Sequence, residues 1–167
     1  KRYATSIEGL TTGDLAQFTR TAFELPQSAW GTVWEGLIGA VPSHELYSGR
    51  DQIVRWEGGS GLLSRHPSAH NFPNAQMNGH RVLGGRGIRV GQMGAFGCTV
   101  YTGEVFDKNA ATVVPTDQKD LPALWCFVTS SDFPSKVREL DQALKVTNGT
   151  FLKLEFDVSQ WQAEAKE

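Results

Sequence analysis

The chain has 167 residues, 40% of them hydrophobic and 20% charged, with five Trp and nine Phe, which suits one globular domain with a sizeable core. Its net charge of −2 excludes a wholesale polyanion sink, so any nucleic-acid contact has to be local. No apolar run reaches the roughly 18 residues of a membrane span and no basic-then-apolar leader opens the chain, so the expectation is a cytoplasmic protein without membrane contact.

In chain order, Gly9-Leu10-Thr11-Thr12-Gly13-Asp14 is turn chemistry leading into a short helix or strand that carries Leu15, Phe18, Phe23 and Leu25 and ends at Pro26. Short apolar runs follow, and Gln52 to Glu57 reads as a strand, with β-branched and aromatic residues set among polar ones. Gly58 to His80, rich in Gly, Ser, Pro and Asn, suits a long surface loop. From Gly87 an apolar alternation resumes with Ile88 and Val90, and Phe106 to Pro115 should contain a buried strand.

The last third is the most regular. Asp120 is placed to cap a helix from Leu121 to Thr129, with Pro122 tolerated in its first turn. Ser130-Ser131-Asp132 is expected to cap a second helix in which Phe133, Val137, Leu140 and Leu144 recur at spacings of three and four. Thr150 to Phe156 reads as a half-buried strand with Leu152, Leu154 and Phe156 on one face. The fold class expected is α+β: a twisted, mostly antiparallel sheet with a C-terminal helix pair, residues 1–167 forming a single domain. The start at Lys1 and the polar end suggest a piece of a longer chain.

The distribution of charge is the main pointer to function. From Gly58 to Gly103 there is no Asp, Glu or Lys in forty-six residues, while Arg65, Arg81, Arg86 and Arg89 and His66, His70 and His80 all fall there. The amides of Asn71, Asn74, Gln76, Asn78 and Gln92 accompany them. Donors without carboxylates suit an anion that also presents hydrogen-bonding edges, and duplex DNA is such a partner. Arginine forks bind phosphate or the acceptor pair of guanine bidentately, and Asn or Gln pairs with adenine in the same way. For each arginine the competing reading is a structural ion pair to a distant acid, and for each Asn a place in a turn.

Other constellations carry less. The three histidines lack a nearby Cys or carboxylate to complete a metal site, and the glycines around Arg86 lack the Lys-Ser/Thr ending of a nucleotide-binding loop. Ser130-Ser131-Asp132 has no neighbouring histidine to act as base. Cys98 and Cys126 stand in apolar surroundings and read as buried free thiols of a reducing compartment. The five tryptophans read as packing rather than as platforms for bases.

Three stretches follow one order: Thr12-Gly13-Asp14 with Phe18 and Arg20; Gly87-Ile88-Arg89 leading to Phe106-Asp107 and Val114-Pro115; and Leu121-Pro122-Ala123-Leu124-Trp125 through Ser130-Ser131 to Val146-Thr147-Asn148-Gly149-Thr150 and Phe156-Asp157. That order resembles the target recognition (specificity) domain of adenine-N6 DNA methyltransferases, including single-chain restriction-modification enzymes and related phage-defence methylases. The resemblance implies a duplex-DNA reader that is not itself an enzyme. A methyltransferase domain, in the same or a partner chain, would bind S-adenosylmethionine and flip the target adenine. Asn71-Phe72-Pro73-Asn74 has one proline and no terminal aromatic, so the Asn-Pro-Pro-Tyr catalytic motif is not matched, and no cofactor or metal is assigned to this chain. The alternative from another class is an assembly module whose basic loop docks an acidic partner.

Overall fold

The computed structural model describes residues 3–65 and 79–166. Two four-stranded sheets carry the fold. The first, in the order β1-β8-β5-β6, is built from β1 (Ala4–Ile7), β5 (Gly87–Gly91), β6 (Cys98–Tyr101) and β8 (Ala110–Pro115), with every neighbouring pair antiparallel. The second, in the order β2-β4-β3-β7, is built from β2 (Thr19–Thr21), β3 (Trp34–Ile38), β4 (Gln52–Arg55) and β7 (Val105–Phe106). It is antiparallel except where β3 runs parallel to β7. The helices are α1 (Leu15–Phe18), α2 (Leu62–Arg65), α3 (Leu121–Thr129), α4 (Phe133–Leu140), α5 (Asn148–Phe151) and α6 (Val158–Glu164).

Both faces of the first sheet are covered. Ile88 and Val90 of β5, with Ala111 and Val113 of β8, point into a core closed by Leu124, Phe127, Val137 and Phe151 of the C-terminal helices. On the opposite face, Ile7 and Tyr101 meet Ile38 and Phe106 of the second sheet. A third cluster, Phe18, Leu37, Val54 and Leu63, fills the far side of the second sheet. β5 is therefore buried at all five positions, although its sequence alternates.

Unpaired sheet edges are hazards that folds cover. Here the segment 45–50 runs beside β6: Glu45 N–H donates to the Cys98 carbonyl at 3.0 Å and Val100 N–H to the Leu46 carbonyl at 3.1 Å. Arg50 adds an ion pair to Glu104 at 2.8 Å.

Local expectations fare unevenly. The strand at Gln52, the buried strand at Ala110–Pro115 and the helix Leu121–Thr129 are all present. Asp120 does not cap that helix with its side chain, which instead accepts from Gln162 Nε2 of α6 at 2.7 Å. The second helix begins at Phe133, without the expected side-chain cap from Asp132, and stops at Leu140, because Asp141 turns extended and its carboxylate accepts from Ala143 N–H and Thr150 Oγ1. Leu144, expected on the buried stripe, is 77% exposed. Cys98 is buried and Cys126 only half-buried, both free.

The expected strand at Thr150–Phe156 is a correction: the chain there is helix α5 followed by a turn. Phe151 and Leu154, three apart, are both buried, and a strand would send them to opposite faces. Phe151 meets Phe96 edge-on and stacks on Phe133, with centroids 6.1 and 6.0 Å apart, and this packing decides the local conformation. No helix among the described residues is long and apolar enough to cross a membrane.

Candidate functional site

Within the stretch expected as a surface loop from Gly58 to His80, the described residues include the helix α2 at Leu62–Arg65. Beyond β4, Glu57, Gly58 and Gly59 take φ of 50°, 65° and 77°, a tight left-handed turn that redirects the chain into α2. Glu57 accepts from Leu62 N–H at 2.7 Å and from Arg55 Nη2 at 3.1 Å. The Leu62 amide holds the Glu57 carboxyl below the usual carboxylate range, aided by Arg55. Leu63 buries α2 against the second sheet, and Arg65 closes it with Nε donating to the Gly61 carbonyl at 3.2 Å.

On the return side, the His80 ring packs on Trp56 with centroids 5.2 Å apart and planes tilted by 34°. Gly59 leaves room for that contact, since a Cβ there would lie 2.7 Å from His80 Cε1. The turn at 56–59 and the segment beginning at Gly79 are thereby packed together.

The next turn, Val82 to Gly87, is clamped at four points. Tyr101 Oη donates to the Val82 carbonyl at 3.0 Å, and Gly85 N–H reaches the same carbonyl at 2.9 Å. Gly84 N–H donates to the Gly103 carbonyl at 2.9 Å, and Gln118 Nε2 to the Arg86 carbonyl at 3.1 Å. Gly84 and Gly103 approach so closely that a Cβ on Gly103 would lie 2.6 Å from the Gly84 Cα. Arg81 and Arg86 stand exposed on this clamped backbone.

Of the residues predicted to contact DNA, Arg65 ends α2 and His80, Arg81 and Arg86 lie on the return side, with His80 committed to Trp56. Arg89 and Gln92 are corrections. Arg89 is 0% exposed: Nη2 pairs with Asp107 Oδ1 at 2.9 Å and donates to the Gly39 carbonyl at 3.0 Å, while Nη1 donates to Thr112 Oγ1 at 3.0 Å. Alternation on β5 turns it away from the helices into the space between the sheets, where a guanidinium has to be paired. Gln92 is 1% exposed and donates to the Val146 carbonyl at 2.9 Å. His66, His70, Asn71, Asn74, Gln76 and Asn78 lie outside the described residues.

Sequence reasoning missed a cleft of about 400 Å³ on the other side of the Arg89–Asp107 pair. Leu10, Leu37, Thr12, Gly13, Gln52 and Asp107 are among the residues that line it. It exists because Leu10 pairs with the chain after β7: Leu10 N–H donates to the Phe106 carbonyl at 2.8 Å and Lys108 N–H to the Leu10 carbonyl at 3.1 Å. Two of the stretches that carry the sequence resemblance, Thr12-Gly13 and Phe106-Asp107, meet here across some ninety residues of chain. Arg20, in the same pattern, turns its guanidinium back to the Thr19 carbonyl at 2.6 Å and sits 5.7 Å from the Trp34 ring.

No protein-family model matches the chain, and no curated protein matches it significantly.

Proposed function

We propose that this chain is a sequence-reading module for duplex DNA, which positions a target adenine for a separate S-adenosylmethionine-dependent methyltransferase domain. The observation that carries the DNA reading is that Arg65, Arg81 and Arg86, all exposed, fall in a stretch with no carboxylate. None of the three makes an ion pair with a described residue. Unpaired guanidinium groups on a fixed backbone favour a polyanion, and the amides of Asn71, Asn74, Gln76 and Asn78 add groups suited to base edges. Phosphate contacts would supply register and affinity, and groove contacts the choice of sequence. The methyltransferase context rests on the resemblance described above, and the chemistry is assigned to the separate domain.

Selection of bound fragments from a randomised duplex pool at low salt tests the reading. Enrichment of a short motif containing adenine is the expected result. Retention without enrichment, or no retention, would sink sequence reading and bring forward the assembly module with an acidic protein partner.

A further inference from the structure

Within the duplex-DNA reading, on which this step rests, we infer that Arg81 and Arg86 are backbone-phosphate contacts that set register, and that neither reads a base. Three observations converge on this division of labour.

The first is charge. Glu104, Asp117 and Asp120, next to or near residues bonded to the Val82–Gly87 turn, have other partners. Gly103, bonded to Gly84, is followed by Glu104, which is paired with Arg50 at 2.8 Å and accepts from Thr102 N–H at 3.0 Å. Gln118, bonded to the Arg86 carbonyl, is flanked by Asp117, paired with Lys119 at 2.9 Å, and is followed by Asp120, which accepts from Gln162 at 2.7 Å. Arg81 and Arg86 are exposed, and neither forms an ion pair with these or other described carboxylates.

The second is the contrast between backbone and side chain. The backbone of the turn is held by Tyr101, Gly103 and Gln118 as described, so the Cα positions of the two arginines are fixed. Their guanidinium groups, by contrast, make no hydrogen bond to a described residue. An arginine that reads guanine must hold its fork in one plane, and a neighbouring acceptor commonly fixes it there. A phosphate offers several oxygens over a wide range of approach and takes an unoriented cation.

The third is Arg89, which shows what orientation looks like in this fold: four acceptors, one of them a carboxylate, fix its plane. It is fully buried and so reaches no ligand. Arg89 is structural, and Arg81 and Arg86 carry charge without such orientation.

The experiment is a titration of the 167-residue chain with its selected duplex and with an unrelated duplex, across a range of salt, for wild type, Arg81→Ala, Arg86→Ala and the two Lys variants. Each Ala variant should lose roughly fivefold in affinity for both duplexes alike and flatten the log K against log salt slope by about 1. The Lys variants should restore most of both, since a point charge suffices for phosphate. Loss confined to the selected duplex without rescue by Lys means base reading and overturns the inference, as does unchanged binding in both Ala variants. If wild type binds both duplexes equally while the Ala variants still flatten the slope, the phosphate role stands and sequence reading fails. If wild type binds neither, both fail.

Discussion

Arg89 of β5 and Asp107, just beyond β7, join the two sheets through a 2.9 Å ion pair whose guanidinium is wholly buried. The pair is embedded: Phe106 lies 5.1 Å from the guanidinium carbon, Thr112 and Gly39 accept further bonds, and Asn109 N–H donates to Asp107 Oδ1 at 2.9 Å. Burial lowers the Arg89 pKa to about 10, against the opposing pull of Asp107. The guanidinium stays charged at neutral pH, and the fold depends on its counter-charge.

Asp107→Ala should therefore destabilise the protein by about 3–5 kcal/mol, the range for removing one partner of a buried ion pair. Arg89→Ala should unfold the chain in the same way rather than weaken a ligand selectively. Replacing both, as Arg89→Ala with Asp107→Ala, should cost less than the sum of the single changes, because no buried charge is left alone. Urea titrations of the four proteins check this, and strict additivity would contradict the coupling.

Alkaline pH gives a second test. Burial pushes the Tyr3 hydroxyl from 10.0 up to about 12 and the Cys98 thiol from 9.0 up to about 12, and it raises Tyr101 as well. The folded state favours the protonated form of all three. Their contribution is thus fully present below the ordinary values and lost as pH climbs toward the raised ones. Arg89 acts in the opposite sense: its depressed value makes folding less unfavourable as pH rises above about 10. Three groups against one should leave stability falling between about pH 9 and 11 in denaturant titrations. Tyr3→Phe should make that fall shallower, although loss of the 2.6 Å bond from Tyr3 Oη to the Phe151 carbonyl lowers stability at neutral pH. A flat profile would contradict the buried placement of these groups.

Substitutions around α5 distinguish helix from strand. Phe151→Ala should cost about 3–5 kcal/mol, as deletion of a buried aromatic does. Leu152→Ala should cost distinctly less, since Leu152 is only partly buried at the margin of the core. A half-buried strand would reverse the order, placing Leu152 inside and Phe151 outside. Thermal melts of the two variants decide it.

Where the sequence was informative, the signal was local and complete within one element. Leu121–Thr129 has proline in its first turn and an apolar run that only a helix buries well, and Ala110–Pro115 is too apolar to lie anywhere but between layers. The run of arginines without acids was also legible, because the absence of acids over forty-six residues is a property of composition. The cleft bounded by Thr12 and Asp107 was not, since it depends on a contact between distant segments.

Arg89 marks the boundary between the two kinds of information. The alternation Ile88-Arg89-Val90 determined that Arg89 lies on the face of its strand opposite the apolar residues. Whether that face meets water or a second sheet was settled only by the packing of β3 and β7 across it, with Gly39 and Asp107 already in place to receive the guanidinium. Periodicity reports which residues share a face, because side-chain direction is fixed by the local backbone. What covers the face is chosen by distant segments competing to bury apolar surface, and only the tertiary structure decides that.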